Sequence, residues 1–188
     1  MLNPLHYGPE ELAADLRAIT AATASEAEIF QRVKPLARRM ATSAHWVRRS
    51  YYEAGQEQGF GVHLLHEEPD HTLAVFAVSW LPGRGTPPHD HGTWAIVAGV
   101  DGPEKNTYWK RLDDGARPGH ARLKRSGARV FLPGHVAVFP TGAIHSVWND
   151  SARVSLSLHI YGKHLNYTGR SQFDPEAQTV TPFLVEVR

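Results

Sequence analysis

Two periodicities divide this chain. Through the first fifty residues apolar side chains recur every three to four positions: Leu12, Leu16 and Ile19 form one stripe, and Ile29, Val33, Leu36 and Met40 a second. That spacing predicts amphipathic helices lying on a core. Gly8-Pro9 reads as the start of the first helix, because proline is favoured at the first helical position. Ser25 followed by Glu28 has the spacing of a capping box, and Pro35 is expected to kink the second helix. From about Val62 onward the pattern changes to short strand-like runs, expected at 62–67, 72–80, 94–100, 106–112, 129–132, 136–139, 146–148 and 153–161. Turn sequences such as Glu68-Pro69-Asp70, Leu81-Pro82-Gly83 and Asp113-Asp114-Gly115 separate them. Eight short strands after a helical lead predict a mainly β fold, a jelly-roll barrel with N-terminal α-helices packed on it. The expected organisation is one domain over 1–188: a helical segment at 1–50, the barrel at 60–162 and an irregular, polar tail at 163–188.

The last predicted strand has the cleanest alternation. Val154, Leu156, Leu158 and Ile160 share one face, and Ser155, Ser157, His159 and Tyr161 the other. The plain reading is an amphipathic strand with a wet polar face. The alternative is that Ser157, His159 and Tyr161 form a hydrogen-bond relay from hydroxyl to imidazole to phenol.

Composition narrows the chemistry. A chain of 188 residues is long enough for a sizeable core. Its net charge of +1 gives no electrostatic case for nucleic acid or an acidic membrane. No apolar run approaches the ~20 residues needed to span a bilayer. The start, Met1-Leu2-Asn3-Pro4-Leu5-His6, lacks the basic and apolar regions of a signal peptide. A cytoplasmic protein is the expectation, with monomer or homo-oligomer left open. Cysteine is absent, which removes disulfides, thiolate ligands and a cysteine nucleophile. Any bound metal must be held by His, Asp, Glu or water.

Two histidine motifs supply such ligands. Gly83-Arg-Gly-Thr-Pro-Pro-His89-Asp90-His91 reads G-x5-H-x-H, with Gly102 eleven residues further on. Gly134 to Asn149 reads G-x5-P-x-G-x2-H-x3-N, through Pro140, Gly142 and His145. On a strand, residues two apart project to the same side, so His89 and His91 are expected to share a face. Neutral imidazole is a common ligand for zinc, copper, iron and nickel. Together the segments resemble the two cupin motifs, which bring three imidazoles to one ion in a small β-barrel.

With Ser157-Leu-His159-Ile-Tyr161 downstream, the resemblance sharpens. Pro88-His89-Asp90-His91, the His145 motif and the Ser-His-Tyr strand resemble the cysteine dioxygenase family of thiol dioxygenases, over roughly residues 46–170 and including Trp80. That resemblance implies Fe(2+) on His89, His91 and His145, with Ser157, His159 and Tyr161 beside it. It implies oxidation of a small thiol to its sulfinate with O2. Gly92-Thr-Trp-Ala-Ile-Val contains no carboxylate after the H-x-H, as in that family. The animal enzymes crosslink a cysteine to the tyrosine; here Tyr161 must act as a free phenol. Where the family places a carboxylate-binding arginine, or a glutamine in its 3-mercaptopropionate branch, this chain has Gly61, Val62 and His63. Arg170, nine residues after Tyr161, matches an arginine of the mercaptopropionate branch and is the candidate carboxylate clamp. Trp94 and His63 are further candidates to line the substrate pocket. Asp90 and Asn149 read as turn formers. Rival readings are a zinc or other metal-dependent hydrolase or isomerase on the same barrel, and a non-catalytic ligand-binding cupin.

Overall fold

The helical stripes bury as their spacing requires. The computed structural model describes residues 7–188; the first six residues, on which the signal-peptide reading falls, lie outside the described residues. Helix α1 (Pro9–Ala22) has Pro9 at its first position and buries Leu12, Leu16 and Ile19. The carboxylate of Glu11 accepts the Gly8 N–H at 3.0 Å and so caps the helix. Helix α2 (Glu26–Ala41) runs through Pro35 and buries Ile29, Val33 and Met40. Ser25 is its N-cap residue, but its hydroxyl makes no capping bond, so the box expected from Ser25 and Glu28 does not form.

Ten strands follow: β1 (Phe60–Glu67), β2 (Thr72–Trp80), β3 (Ala95–Asp101), β4 (Glu104–Arg111), β5 (Leu123–Phe131), β6 (Val136–Phe139), β7 (Ile144–Trp148), β8 (Ser155–Lys163), β9 (Ser171–Asp174) and β10 (Thr179–Pro182). They form antiparallel sheets ordered β1-β2-β8-β3-β6 and β5-β4-β7, with a small β9-β10 hairpin. This is a mainly β jelly-roll-type barrel of antiparallel sheets with N-terminal helices packed on it. Two expectations are corrected. The 129–132 strand begins at Leu123, where charged residues on an exposed edge mask the period. The tail is not irregular, since residues 171–174 and 179–182 pair as a hairpin.

The larger sheet separates two cores. Its outer face, including Val75, Ala77, Ile96, Ala98, Leu156, Leu158 and Ile160, packs with α1 and α2. Its inner face, including Ala74, Phe76, Val78, Ala95, Val97 and Tyr161, packs inside the barrel. Strand β8 lies between β2 and β3 at the sheet centre, so neither of its faces meets water. Among the described residues no helix is long and apolar enough to cross a membrane.

Candidate metal centre and its relay

The two histidine motifs meet because the Gly85–His89 segment lies along β7. His89 N–H donates to His145 O at 2.8 Å, and His145 N–H returns the bond to His89 O at 3.0 Å. Gly85 bridges to Trp148 further along, where a Cβ would collide with the Val147 carbonyl. Past the H-x-H the chain turns at Gly92, with φ +63°; a Cβ there would sit 2.8 Å from Thr168 O. Both glycines therefore have a steric reason. The H-x-H itself is an extended connection between β2 and β3, with His89 bridging to His145 on one side and Gln172 on the other, rather than a regular strand.

One ring nitrogen from each of His89, His91 and His145 falls in a cluster within 4.8 Å. All three side chains are buried. His89 Nδ1 faces Pro87 O at 3.0 Å, and His145 Nδ1 faces Asn106 Oδ1 at 2.7 Å. Both partners are acceptors, so each Nδ1 carries the hydrogen and each Nε2 keeps its lone pair. His145 Nε2 and His91 Nε2 stand 3.0 Å apart. Two nitrogens each about 2.1 Å from a shared ion lie about 3–3.5 Å apart, so this separation fits metal ligation. Burial above all, with Arg170 and the mutual disfavouring of charge among the clustered imidazoles adding to it, pushes these rings towards their neutral form: His89 to about 3, His91 and His145 well below their ordinary value. Neutral imidazole is the ligating form. Among the described residues no carboxylate joins the three-histidine cluster, so an ion held by these imidazoles alone would keep its charge undiminished by them.

Across the cavity, β8 presents its polar face inward. Ser157 Oγ lies 2.9 Å from His159 Nε2, and His159 Nδ1 lies 3.0 Å from the Tyr161 hydroxyl. The Tyr161 and His91 rings are 5.2 Å apart, which places the phenol end of the chain beside the cluster. Trp80 Nε1–H donates to Ser157 Oγ at 3.0 Å and anchors the far end. Burial lowers His159 to about 3 and raises Tyr161 to about 12, with Arg170 partly opposing the latter. At neutral pH the relay is uncharged, a neutral imidazole between two hydroxyls.

Arg170 enters the same cavity from the segment ahead of β9. It is 5% exposed; its Nε–H donates to Phe183 O at 3.1 Å, and its guanidinium lies 4.2 Å from the Phe183 ring centroid. It is the one Lys or Arg among the described residues lining the cavity, beside His89, His145, His159 and Tyr161. Burial depresses its pKa, an effect that Tyr161 and Asp90 partly oppose. The cavity is small, about 20 Å³, with room for one or two waters. The rest of its wall is mostly apolar, including Val62, Val147 and Phe183.

Two expected pocket residues lie elsewhere. His63 pairs in register with Ala77 on the outer face, bonds Glu53 O through Nε2 at 2.9 Å and stacks near Tyr51. Trp94 packs in the outer core, edge-on to Phe30 at 6.4 Å. Strand parity is the reason: Val62, one residue earlier, faces the cavity in place of His63. Asp90 accepts the Ser171 N–H at 2.9 Å and ties the H-x-H to β9. Asn149 bonds Trp80 O and Arg153 O and closes the turn after β7. Sequence reading missed Asn106 and Glu104, which share one face of β4 behind His145; their i, i+2 spacing was visible but carries no signal alone. It also missed Phe183 as a cavity wall.

No family model matches this chain. Among solved structures it is similar to oxalate oxidase in complex with the substrate analogue glycolate, at 22% identity and a TM-score of 0.47, covering 62% of this chain and 59% of that one. The chain thus spans about three fifths of that oxalate oxidase. A cupin_2 domain of an XRE family transcriptional regulator from Enterobacter cloacae is 19% identical with a TM-score of 0.39, covering 55% of this chain and 96% of its own. A cupin 2 conserved barrel domain protein from Leptotrichia buccalis is 22% identical with a TM-score of 0.42, covering 59% of this chain and 44% of its own.

Proposed function

We propose that this protein is an iron-dependent thiol dioxygenase, converting a small carboxylate-bearing thiol such as cysteine or 3-mercaptopropionate to its sulfinate with O2. The observation that carries the reading is convergence. His89 and His145 of the neutral imidazole cluster, His159 and Tyr161 of the buried Ser157-His159-Tyr161 chain, and the buried guanidinium of Arg170 line one small cavity. Hydration chemistry at a zinc site needs no such relay and no buried anion receptor.

His89, His91 and His145 would hold the metal. A ferrous ion there would supply a redox-active Lewis acid with open positions for thiolate and O2. Because every protein ligand is neutral, the site favours substrate as an anion. With such an ion bound, a thiol of solution pKa ~8.5 would be held as thiolate at neutral pH. Arg170 is aimed to pair with the substrate carboxylate, its planar fork matching two oxygens. Tyr161, protonated at neutral pH, donates its O–H to substrate or oxygen. His159 orients the phenol, and Ser157 fixes the histidine tautomer. Overall, thiolate plus O2 gives sulfinate: two S–O bonds form and the O–O bond breaks. Sulfur loses the four electrons that oxygen gains, so no external reductant is required.

The test is oxygen uptake by anaerobically iron-loaded protein across thiols with and without a carboxylate, with sulfinate measured by NMR. One sulfinate per O2, confined to carboxylate-bearing thiols and lost with that preference in Arg170→Ala, is the expected result. Zinc retained through purification and no thiol-dependent oxygen uptake after iron loading would overturn the proposal. Equal rates on carboxylate-free thiols would remove Arg170 from its assigned role.

A further inference from the structure

Behind the candidate metal centre lies an acid that the proposed reaction does not use. Glu104 opens β4 and is 3% exposed. One carboxyl oxygen, Oε1, accepts the Asn106 Nδ2–H at 2.8 Å. The other, Oε2, has no partner that satisfies hydrogen-bond distance and angle. The polar hydrogens nearest to relieving it belong to Ser157 and Trp80, which lower its pKa while burial raises it more. No lysine or arginine is in a salt bridge with it among the described residues. Burying a carboxyl without a cation costs stability, so this one has been placed where its geometry is needed.

The geometry continues outward. Asn106, itself fully buried, donates its amide N–H to Glu104 and accepts at Oδ1 from His145 Nδ1, 2.7 Å away. An asparagine has a donor end and an acceptor end, and rotating the amide by half a turn exchanges them. In the flipped orientation NH2 would face His145 Nδ1, which would then have to keep its lone pair. The ring hydrogen would move to Nε2, pointing at His91 Nε2, 3.0 Å off. His145 would lose its ligating atom. The flip would also set Asn106 Oδ1 against Glu104 Oε1, two acceptors face to face.

We infer that Glu104 is a positioning residue for the metal centre: through Asn106 it locks His145 in the tautomer whose Nε2 is free to ligate, while the same carboxyl faces Ser157 of the relay on the opposite sheet. This rests on the metal-centred reading of the site but not on its substrate or on oxygen chemistry.

Its test reads tautomer and metal affinity without thiol or O2. In the metal-free parent protein, 15N NMR of the histidine rings is expected to show His145 protonated at Nδ1. Cobalt(II) titration followed by absorption is expected to give affinities that fall 10–100-fold in Glu104→Leu and in Asn106→Leu, the range for residues that support metal ligands. The double variant should lose no more than either single one, because both act on one bond. Glu104→Gln, which still offers an acceptor to Asn106, should stay within about threefold of the parent. A purely packing role would lower stability in Glu104→Leu yet leave cobalt affinity alone, and that result would overturn the inference. So would an Nε2-protonated His145 in the parent, which can be read even if Glu104→Leu does not fold. A protein that passes these tests but oxidises no thiol keeps Glu104 in this role and loses only the proposed reaction.

Discussion

Strand β8 shows the same burial on two faces with opposite chemistry. On its outer face Leu156, Leu158 and Ile160 are at most 1% exposed, packed against α1 and α2. On its inner face Ser157, His159 and Tyr161 are 1–3% exposed, packed against the imidazole cluster. Alternation usually divides a strand into a dry face and a wet one. Here the helices convert the apolar face into a second core, and the barrel encloses the polar one. Polar groups withdrawn from water need partners, and the inner face finds them within itself: Trp80 to Ser157 to His159 to Tyr161. One face contributes cohesion that any well-fitting hydrocarbon could supply. The other holds a directed set of donors and acceptors that no hydrocarbon could replace.

The comparison breaks most sharply when the cluster opposite the inner face is cut. His91→Ala should lower cobalt or iron affinity by at least 100-fold, measured by titration of the metal-free protein. Metal at ~1,000 times its dissociation constant stabilises a fold by about 4 kcal/mol; the parent should show that gain in urea unfolding and His91→Ala should not. Leu158→Ala on the outer face is the counterpart. It should cost about 2–5 kcal/mol of unfolding free energy through the cavity it leaves, with metal affinity unchanged. If Leu158→Ala weakened metal binding as much as His91→Ala, the two faces would not be separable and the comparison would fail.

How much of this the sequence displayed depends on whether a feature is local. Each histidine motif is contiguous, and fixed glycine and proline spacings mark its turns, so His89, His91 and His145 could be grouped before any coordinates. The alternation along 153–161 is likewise local, and the helix stripes around Leu16 and Val33 follow from period alone. What stayed hidden depends on pairing between distant segments. Whether His63 or Val62 faces the cavity depends on parity within β1, which nothing in Gly61-Val62-His63 fixes. Trp94 sits three residues after the candidate ligand His91, yet the turn at Gly92 sends it to the helix side. Glu104 and Asn106 resemble an ordinary polar strand start, and only the β4–β7 pairing sets them behind His145. The four-residue strands of the tail are too short and too polar to show a period.

Acid sharpens the contrast further. The folded state holds His89 and His159 near pKa 3 because burial disfavours their charged forms, whereas an unfolded chain titrates them near 6.5. A depressed folded pKa means that the unfolded state takes up protons first as pH falls. Their contribution is therefore intact above about 6.5 and is lost progressively towards about 3. Each such group adds a slope of up to about 1.4 kcal/mol per pH unit in that window. Urea unfolding of the metal-free protein from pH 7 to 4.5 should show the decline. Leu158→Ala should run parallel to the parent at lower stability, and His159→Gln should run shallower. Equal slopes in all three would mean that the inner face does not carry the acid sensitivity.

The finest cut removes one oxygen. Tyr161→Phe keeps the ring against Phe76 and His91 and leaves only His159 Nδ1 without its partner. A single lost hydrogen bond in a buried site costs about 1–2 kcal/mol, less than the truncation on the outer face. Metal affinity should not change, because Tyr161 is bonded to none of the three ligand imidazoles. If the phenol acts on substrate or oxygen, thiol-dependent oxygen uptake should nonetheless fall 10–100-fold, or sulfinate formed per O2 should drop well below one. The outer-face variant, compared at equal folded fraction, should do neither. Turnover and coupling that match the parent in Tyr161→Phe would reduce the relay to buried polar packing and make the two faces of β8 alike in kind.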